Sequence, residues 1–193
     1  MNSLFCFIIE PKGDRTTSKK NINGVDLILN TELQNHSYVN RVGIVKAIPL
    51  AISTEIKVGD EVIVHHNVFR RFYDVRAIEK NSKAYYKDNM YLVQPDQIYA
   101  YNKNKKWKAI KGFCFIKPLK EDKMFSMDFE KEGIGIVKFT DGSIEKDSLV
   151  GFKPGFEYEF FIEKQKLYRV PTNQITIKYE YQGNEKEYNP SWA

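Results

Sequence analysis

The chain has 193 residues, of which 42% are hydrophobic, 14% aromatic and 28% charged. That composition excludes a disordered or fibrous chain and predicts a packed core, in one domain or two small ones. The net charge of +5 comes from 30 basic residues interspersed with 25 acidic ones, a balance that permits contact with acidic surfaces without marking a nucleic-acid-binding protein.

In chain order, Leu4-Phe5-Cys6-Phe7-Ile8-Ile9 is too short to span a bilayer and lacks the basic start and cleavage site of a secretory signal, so an intracellular location is expected. Residues 14–37, DRTTSKKNINGVDLILNTELQNHS, form a polar, partly basic run with an aliphatic cluster, Val25-Asp26-Leu27-Ile28-Leu29, behind Gly24. Two roles are open to that cluster: a core strand after an ordinary loop, or an exposed element that docks on a partner. RVGIVKA and KVGDEVIV follow, and Glu61-Val62-Ile63-Val64-His65-His66 reads as a strand. Phe69-Arg70-Arg71-Phe72-Tyr73-Asp74 and Tyr85-Tyr86-Lys87-Asp88 read either as an ordered hairpin insertion or subunit contact, or as stacking platforms for a single nucleic-acid strand. A short helical turn fits Pro95-Asp96-Gln97, because proline is tolerated at a helix start. Phe156–Ile162 and Thr176–Tyr181 read as strands, with Gly59, Asp141-Gly142 and Gly155 as turns.

The chain also repeats itself. Phe5-Cys6-Phe7-Ile8 recurs as Phe113-Cys114-Phe115-Ile116 and Gly43-Ile44-Val45-Lys46 as Gly135-Ile136-Val137-Lys138. Lys57-Val58-Gly59-Asp60 is echoed by Lys153-Pro154-Gly155-Phe156, and the stretch Tyr91–Ile98 by Tyr168–Ile175. Blocks recurring in one order predict two copies of one domain, 1–104 and 105–193, joined at the lysine- and asparagine-rich Asn102–Lys106. Each copy is expected to be a small barrel or sandwich of about five to seven strands. On this alignment the chain from Phe113 to Gly135 is shorter than that from Phe5 to Gly43, so the second copy has lost residues across the aliphatic cluster. A segment that one copy of a fold does without is carried for function in the other. Lys123–Phe129 stands in its place, open to packing against the first copy or to use as a degenerate docking motif.

No nucleophile elbow, phosphate-binding loop or zinc motif is present. His65 and His66, placed on a strand, would point to opposite faces and could not share a metal. Cys6 and Cys114 lack metal-ligand spacing and are expected to be reduced, buried thiols. Phe152, Phe156, Tyr158, Phe160 and Phe161 are expected in the second copy's core and its contacts with the first. Asp141, Glu145 and Asp147 read as turn and surface acids.

The order of these parts, with NGVDLIL, RVGIVKA, KVGDEVIV and YLVQPDQIYAY, resembles the GroES-type co-chaperonin family over residues 4–101, with fainter traces from 112 to 181. The insertion at Phe69–Asp74 is similar to elaborations of phage-encoded relatives. The resemblance implies an all-β chain of two tandem small GroES-like β-barrels, the second a degenerate copy. It implies that the loop, about residues 11–30, is mobile and docks Leu27-Ile28-Leu29, with Val25 as an alternative, between apical helices of a GroEL-type chaperonin. It further implies a homo-oligomeric, heptameric ring in the cytoplasm (of the host bacterium for a phage protein) that encloses an unfolded client. No catalytic residue, cofactor, metal or membrane contact is implied. The connection Ile44–Val58 is short beside the family's roof hairpin, which implies a dome with an open top. The alternatives are a tandem β-barrel nucleic-acid-binding protein and a phage structural protein.

Overall fold

The computed structural model describes the chain except residues 1–2, 17–18, 23–24, 29–38, 122–128, 181–182 and 191–193, and describes only backbone for the strands within 17–38. Contacts divide it into two compact units, Met1–Trp107 and Lys108–Ala193.

The first unit carries β1 (Phe7–Pro11), β2 (Lys19–Ile22), β3 (Val25–Ile28), β4 (Val42–Ala47), β5 (Glu61–Val64), β6 (Arg71–Tyr73), β7 (Glu79–Asn81), β8 (Tyr85–Lys87), β9 (Met90–Val93) and β10 (Ile98–Lys103), and the chain divides within β11 (Lys106–Ala109). Seven of these form one sheet in the order β11-β10-β5-β4-β1-β9-β8, while β2-β3 and β6-β7 are separate two-stranded sheets. The second unit has β12 (Phe113–Lys120), β13 (Glu130–Thr140), β14 (Leu149–Phe152), β15 (Tyr158–Ile162), β16 (Gln165–Pro171) and β17 (Ile175–Tyr179), in the order β15-β16-β12-β13-β14-β17. The expected helical turn is present as a 3-10 turn at Pro95–Gln97, and a second one spans Thr172–Gln174.

The central strands are continuous β-branched and aromatic runs because both their faces are covered. Val62, Ile63 and Val64 are all buried, as are Phe7, Ile8 and Ile9. In the second unit Cys114, Ile116, Val137, Val150, Phe152 and Val170 form one cluster. Burial pushes the Cys114 thiol up to about 12, which keeps it protonated. Both cysteines are free thiols, but Cys6 is only half-buried, against the expectation for it.

The sheets are open, and the closed barrels expected from sequence do not form: the end strands of each sheet are not hydrogen-bonded to one another. Closure needs the two edges to meet in register. Here β8, β11 and β15 are each one arm of a tight hairpin, turned by Asp88-Asn89, Asn104-Lys105 and Glu163-Lys164, pairs in which both residues have positive φ. Such turns match the strand twist and fold each edge strand back on its own neighbour.

The repeat is built into the topology. β10-β5-β4-β1-β9-β8 and β17-β14-β13-β12-β16-β15 are the same order, copy for copy. Register corrects two of the sequence equivalences. Ile9 pairs with Val45 and Tyr91, and Ile116 pairs with Val137 and Tyr168, so Ile116 is the counterpart of Ile9, and Pro118 of Pro11. The first block is therefore slipped by a single position, and the second copy stays shorter across the loop, Ile116 lying nearer to Val137 along the chain than Ile9 does to Val45. A string match tolerates such a slip, whereas a ladder does not, because the slip turns every side chain to the other face. The counterpart of the Gly59-Asp60 turn is Asp147-Ser148, and Lys153–Phe156 lies beyond β14. Gly59 and Asp147 donate their N–H to Val45 and Val137 in turn, and Val45 and Val137 donate to Asp60 and Ser148. Gly59 and Asp147 both have positive φ, which aspartate tolerates well enough to hide the match from a search for glycine.

Two further expectations are corrected. β5 ends at Val64, so His65 and His66 lie past the strand, and their rings stack with centroids 4.2 Å apart instead of facing opposite ways. Phe156 is 44% exposed with the Lys153 ammonium 5.3 Å from its ring centre, whereas Phe152 and Phe160 are core residues and Tyr158 and Phe161 half-buried. Phe156 lies between the turn at Pro154-Gly155 and the start of β15 at Tyr158, outside the strand that the sequence predicts from Phe156. No helix among the described residues is long and apolar enough to cross a membrane. Residues 123–128 of the segment replacing the loop lie outside the described residues, and Phe129 at its end is exposed.

Candidate functional site

β1 ends at Pro11, and the chain leaves the sheet through a neck that closes again where it returns. Thr16 and Val39 form an isolated antiparallel bridge, Asn40 N–H donates to Arg15 O at 2.9 Å, and Lys12 N–H donates to Val42 O at 2.9 Å. The Asn40 side chain ties the two arms: its Nδ2 donates to Lys12 O and Asp14 O, both at 2.8 Å, and its Oδ1 accepts from Val42 N–H. Val39, in the bridge, is buried.

Between the arms of the neck, β2 and β3 pair with each other and, among the described strands, with no other, with Lys19 opposite Ile28, Lys20 opposite Leu27, Asn21 opposite Asp26 and Ile22 opposite Val25. Of the positions singled out for partner binding, Val25, Leu27 and Ile28 are thus on β3, in a hairpin separate from the seven-stranded sheet, and Leu29 lies outside the described residues. Successive strand residues belong to opposite rows, so the register puts Val25 and Leu27 in one row and Asp26 and Ile28 in the other.

Sequence reasoning missed what holds the neck. Arg15 donates from Nε and Nη2 to Phe69 O at 3.3 and 3.2 Å and from Nη1 to Asn81 Oδ1 at 2.8 Å, with its guanidinium 5.4 Å from the centre of the Tyr91 ring. A planar fork that bonds two acceptors and covers an aromatic face is specific to arginine. Burial lowers the Arg15 pKa from its ordinary value and raises that of Tyr91, so the pair stays a charged guanidinium over a neutral phenol at neutral pH. Phe69 and Asn81 belong to the insertion after β5. Phe69 is buried, packs edge-on against Tyr91 at 4.9 Å, and occupies space over Gly43 where a methyl group would stand 2.9 Å from its Cζ. Ser82 closes the insertion's base, donating from Oγ to Val68 O and from N–H to Arg70 O.

The remainder of the insertion projects from this base. β6 and β7 pair Arg71 with Asn81, Phe72 with Lys80 and Tyr73 with Glu79. Asp74 caps the tip by accepting from the Arg76 and Ile78 N–H groups at 2.9 and 3.0 Å, which holds its carboxyl below the usual range, with the Ile78 bond the larger cause. Phe72, Tyr73 and Tyr86 are exposed and Val75 fully so, while Arg71 is paired with Glu79 at 2.9 Å. No cluster of metal-ligating side chains occurs among the described residues. Comparison with family models, characterised proteins and solved structures finds no match for the chain.

Proposed function

We propose that the chain is a co-chaperonin of GroES type, capping a GroEL-type chaperonin ring through the β2–β3 hairpin and performing no covalent chemistry. The observation that carries this reading is that, among the described strands, the segment bearing Val25, Leu27 and Ile28 pairs within its own hairpin, outside the seven-stranded sheet, beyond a closed, buttressed neck. The second copy, of the same sheet order, is shorter there, so the sheet forms without it. In this reading the units are relatives of the GroES barrel opened at the edges, the second a degenerate copy, and Leu27, Ile28 and Leu29, with Val25 as an alternative, enter an apolar groove of the partner.

Burying three such aliphatic side chains yields roughly 1.5–3 kcal/mol each. Ordering a free loop costs about 1–2 kcal/mol per residue, and a hairpin already paired along both strands has met part of that cost. One hairpin still binds weakly, so the function calls for a homo-oligomeric ring in which later contacts become intramolecular. Displacing a bound client and enclosing it follow from the cap; nucleotide hydrolysis belongs to the partner.

The test is co-sedimentation with a nucleotide-loaded chaperonin. The wild type is expected to associate and Leu27→Ser/Ile28→Ser/Leu29→Ser to lose association, with the denaturation midpoint of the first unit unchanged. Equal binding by the two proteins overturns the role of the hairpin.

One observation favours a second reading: Phe72, Tyr73 and Tyr86 are exposed, as stacking on a single nucleic-acid strand requires. Its affinity would fall steeply with salt, whereas aliphatic docking changes little.

A further inference from the structure

The insertion after β5 ends in an apolar tip. β6 and β7 form a sheet of their own and, among the described strands, pair with no other. At their turn Val75 is fully exposed and Ile78 is 49% exposed, and just behind them Phe72 and Tyr73 are exposed on β6. The tip's backbone is bonded within the tip: Asp74 N–H donates to Ile78 O at 3.0 Å, Ala77 N–H to Asp74 O at 2.9 Å, and the Arg76 and Ile78 N–H groups to the Asp74 carboxylate. Charge around it is one-sided. From Arg70 to Asp88 there are six basic residues, Arg70, Arg71, Arg76, Lys80, Lys83 and Lys87, against the acids Asp74, Glu79 and Asp88, so that six minus three gives this stretch +3 of the chain's net +5.

A protein segment enters the interfacial region of a bilayer at low cost only where its backbone N–H groups are bonded within the protein. Binding there strengthens with the apolar area that is buried and with basic residues that face acidic headgroups. The hairpin meets both conditions, and two of its three acids oppose them little: Glu79 is paired with Arg71 at 2.9 Å, and Asp74 holds the tip's N–H groups with the Lys80 ammonium 3.9 Å away. We propose that the β6–β7 hairpin binds bilayers containing acidic phospholipid, Val75 and Ile78 entering between the headgroups and the basic residues behind them meeting the headgroup charge. Long basic side chains such as Arg76 can lay their stems along the apolar surface and keep their charge in the headgroup layer. Stacking on a nucleic-acid strand would use the rings of Phe72, Tyr73 and Tyr86 but gains nothing from Val75 and Ile78, the most exposed large apolar side chains of the insertion. The contact is separate from the β2–β3 hairpin and stands whether or not Leu27 docks on a chaperonin.

Flotation of the full chain with unilamellar vesicles tests this, comparing phosphatidylserine mixed with phosphatidylcholine against phosphatidylcholine alone. The wild type is expected to float with the first and not with the second. Val75→Ser/Ile78→Ser is expected to weaken binding by about tenfold, and Lys80→Glu/Lys83→Glu to weaken it comparably, both proteins keeping the wild-type circular dichroism spectrum. Insertion is read separately in a Cys6→Ser background, Cys114 being buried. A polarity-sensitive fluorophore on Val75→Cys is expected to shift to the blue on the acidic vesicles, whereas one on Lys103→Cys, at the exposed end of β10, is not. No flotation with the acidic vesicles, equal binding by the wild type and the serine variant, or an unshifted fluorophore at position 75 overturns the proposal. Single-stranded DNA bound by the wild type and lost in the serine variant, with neither protein floating, overturns it in favour of nucleic acid.

Discussion

Of the described glycines, Gly43 and Gly135 have the least room for a side chain, and the repeat places them at equivalent positions. A Cβ on Gly135 would stand 2.4 Å from the Lys117 carbonyl oxygen and 2.5 Å from Ile116 Cγ2; on Gly43 it would stand 2.4 Å from Ile9 Cγ2 and 2.9 Å from Phe69 Cζ. Neither residue has a positive φ, so the requirement is close approach of the neighbouring strand and not backbone freedom. Both Gly→Ala substitutions are expected to destabilise by about 1–3 kcal/mol in urea denaturation. Gly135→Ala should be the costlier, since its nearest obstacle is backbone, which cannot rotate away. The GIVK match made these glycines visible in the sequence; their reason is a packing distance, which a string of letters does not contain.

Among the elements, the hairpin's neck and the insertion after β5 form one assembly. Arg15 joins them, and the second copy is reduced at both places. Its loop is shorter, and the connection from Phe152 to Tyr168 is shorter than the equivalent one from Val64 to Tyr91. Arg15→Ala removes bonds to Phe69 and Asn81 together with the cover of Tyr91, and is expected to cost the first unit about 1–3 kcal/mol. Hydrogen exchange at the Asn40 amide should quicken in step, while the second unit's amides keep their wild-type rates; unchanged exchange at Asn40 would show that the insertion does not brace the neck. The second unit completes itself by another route. Lys46 pairs with Glu10 at 2.7 Å, but the counterpart of Glu10 is Lys117, so the C-terminal segment supplies Glu187 to Lys138 at 2.6 Å and Asn189 to the buried Lys117 ammonium at 2.8 Å. Burial draws the Lys117 pKa below its ordinary value, and a neutral acceptor suits an ammonium held there.

For the whole molecule, the division at Trp107/Lys108 predicts that fragments 1–109 and 110–193, cut to keep β11 with its sheet, each unfold cooperatively when heated alone. Calorimetry decides it, and a fragment without a transition would mean that the two units fold only together. The sequence by itself determined the all-β class, the doubling of the chain, the 3-10 turn at Pro95–Gln97 and the aliphatic cluster behind Gly24, because each is a matter of local composition, period or recurrence. Only the tertiary structure decided the strand register, the open edges, the separate pairing of β2 with β3 and the Arg15 clamp. These depend on which backbone amides meet across long stretches of chain, and a slip by a single position or an aspartate standing for a glycine leaves the local pattern intact while changing every such meeting.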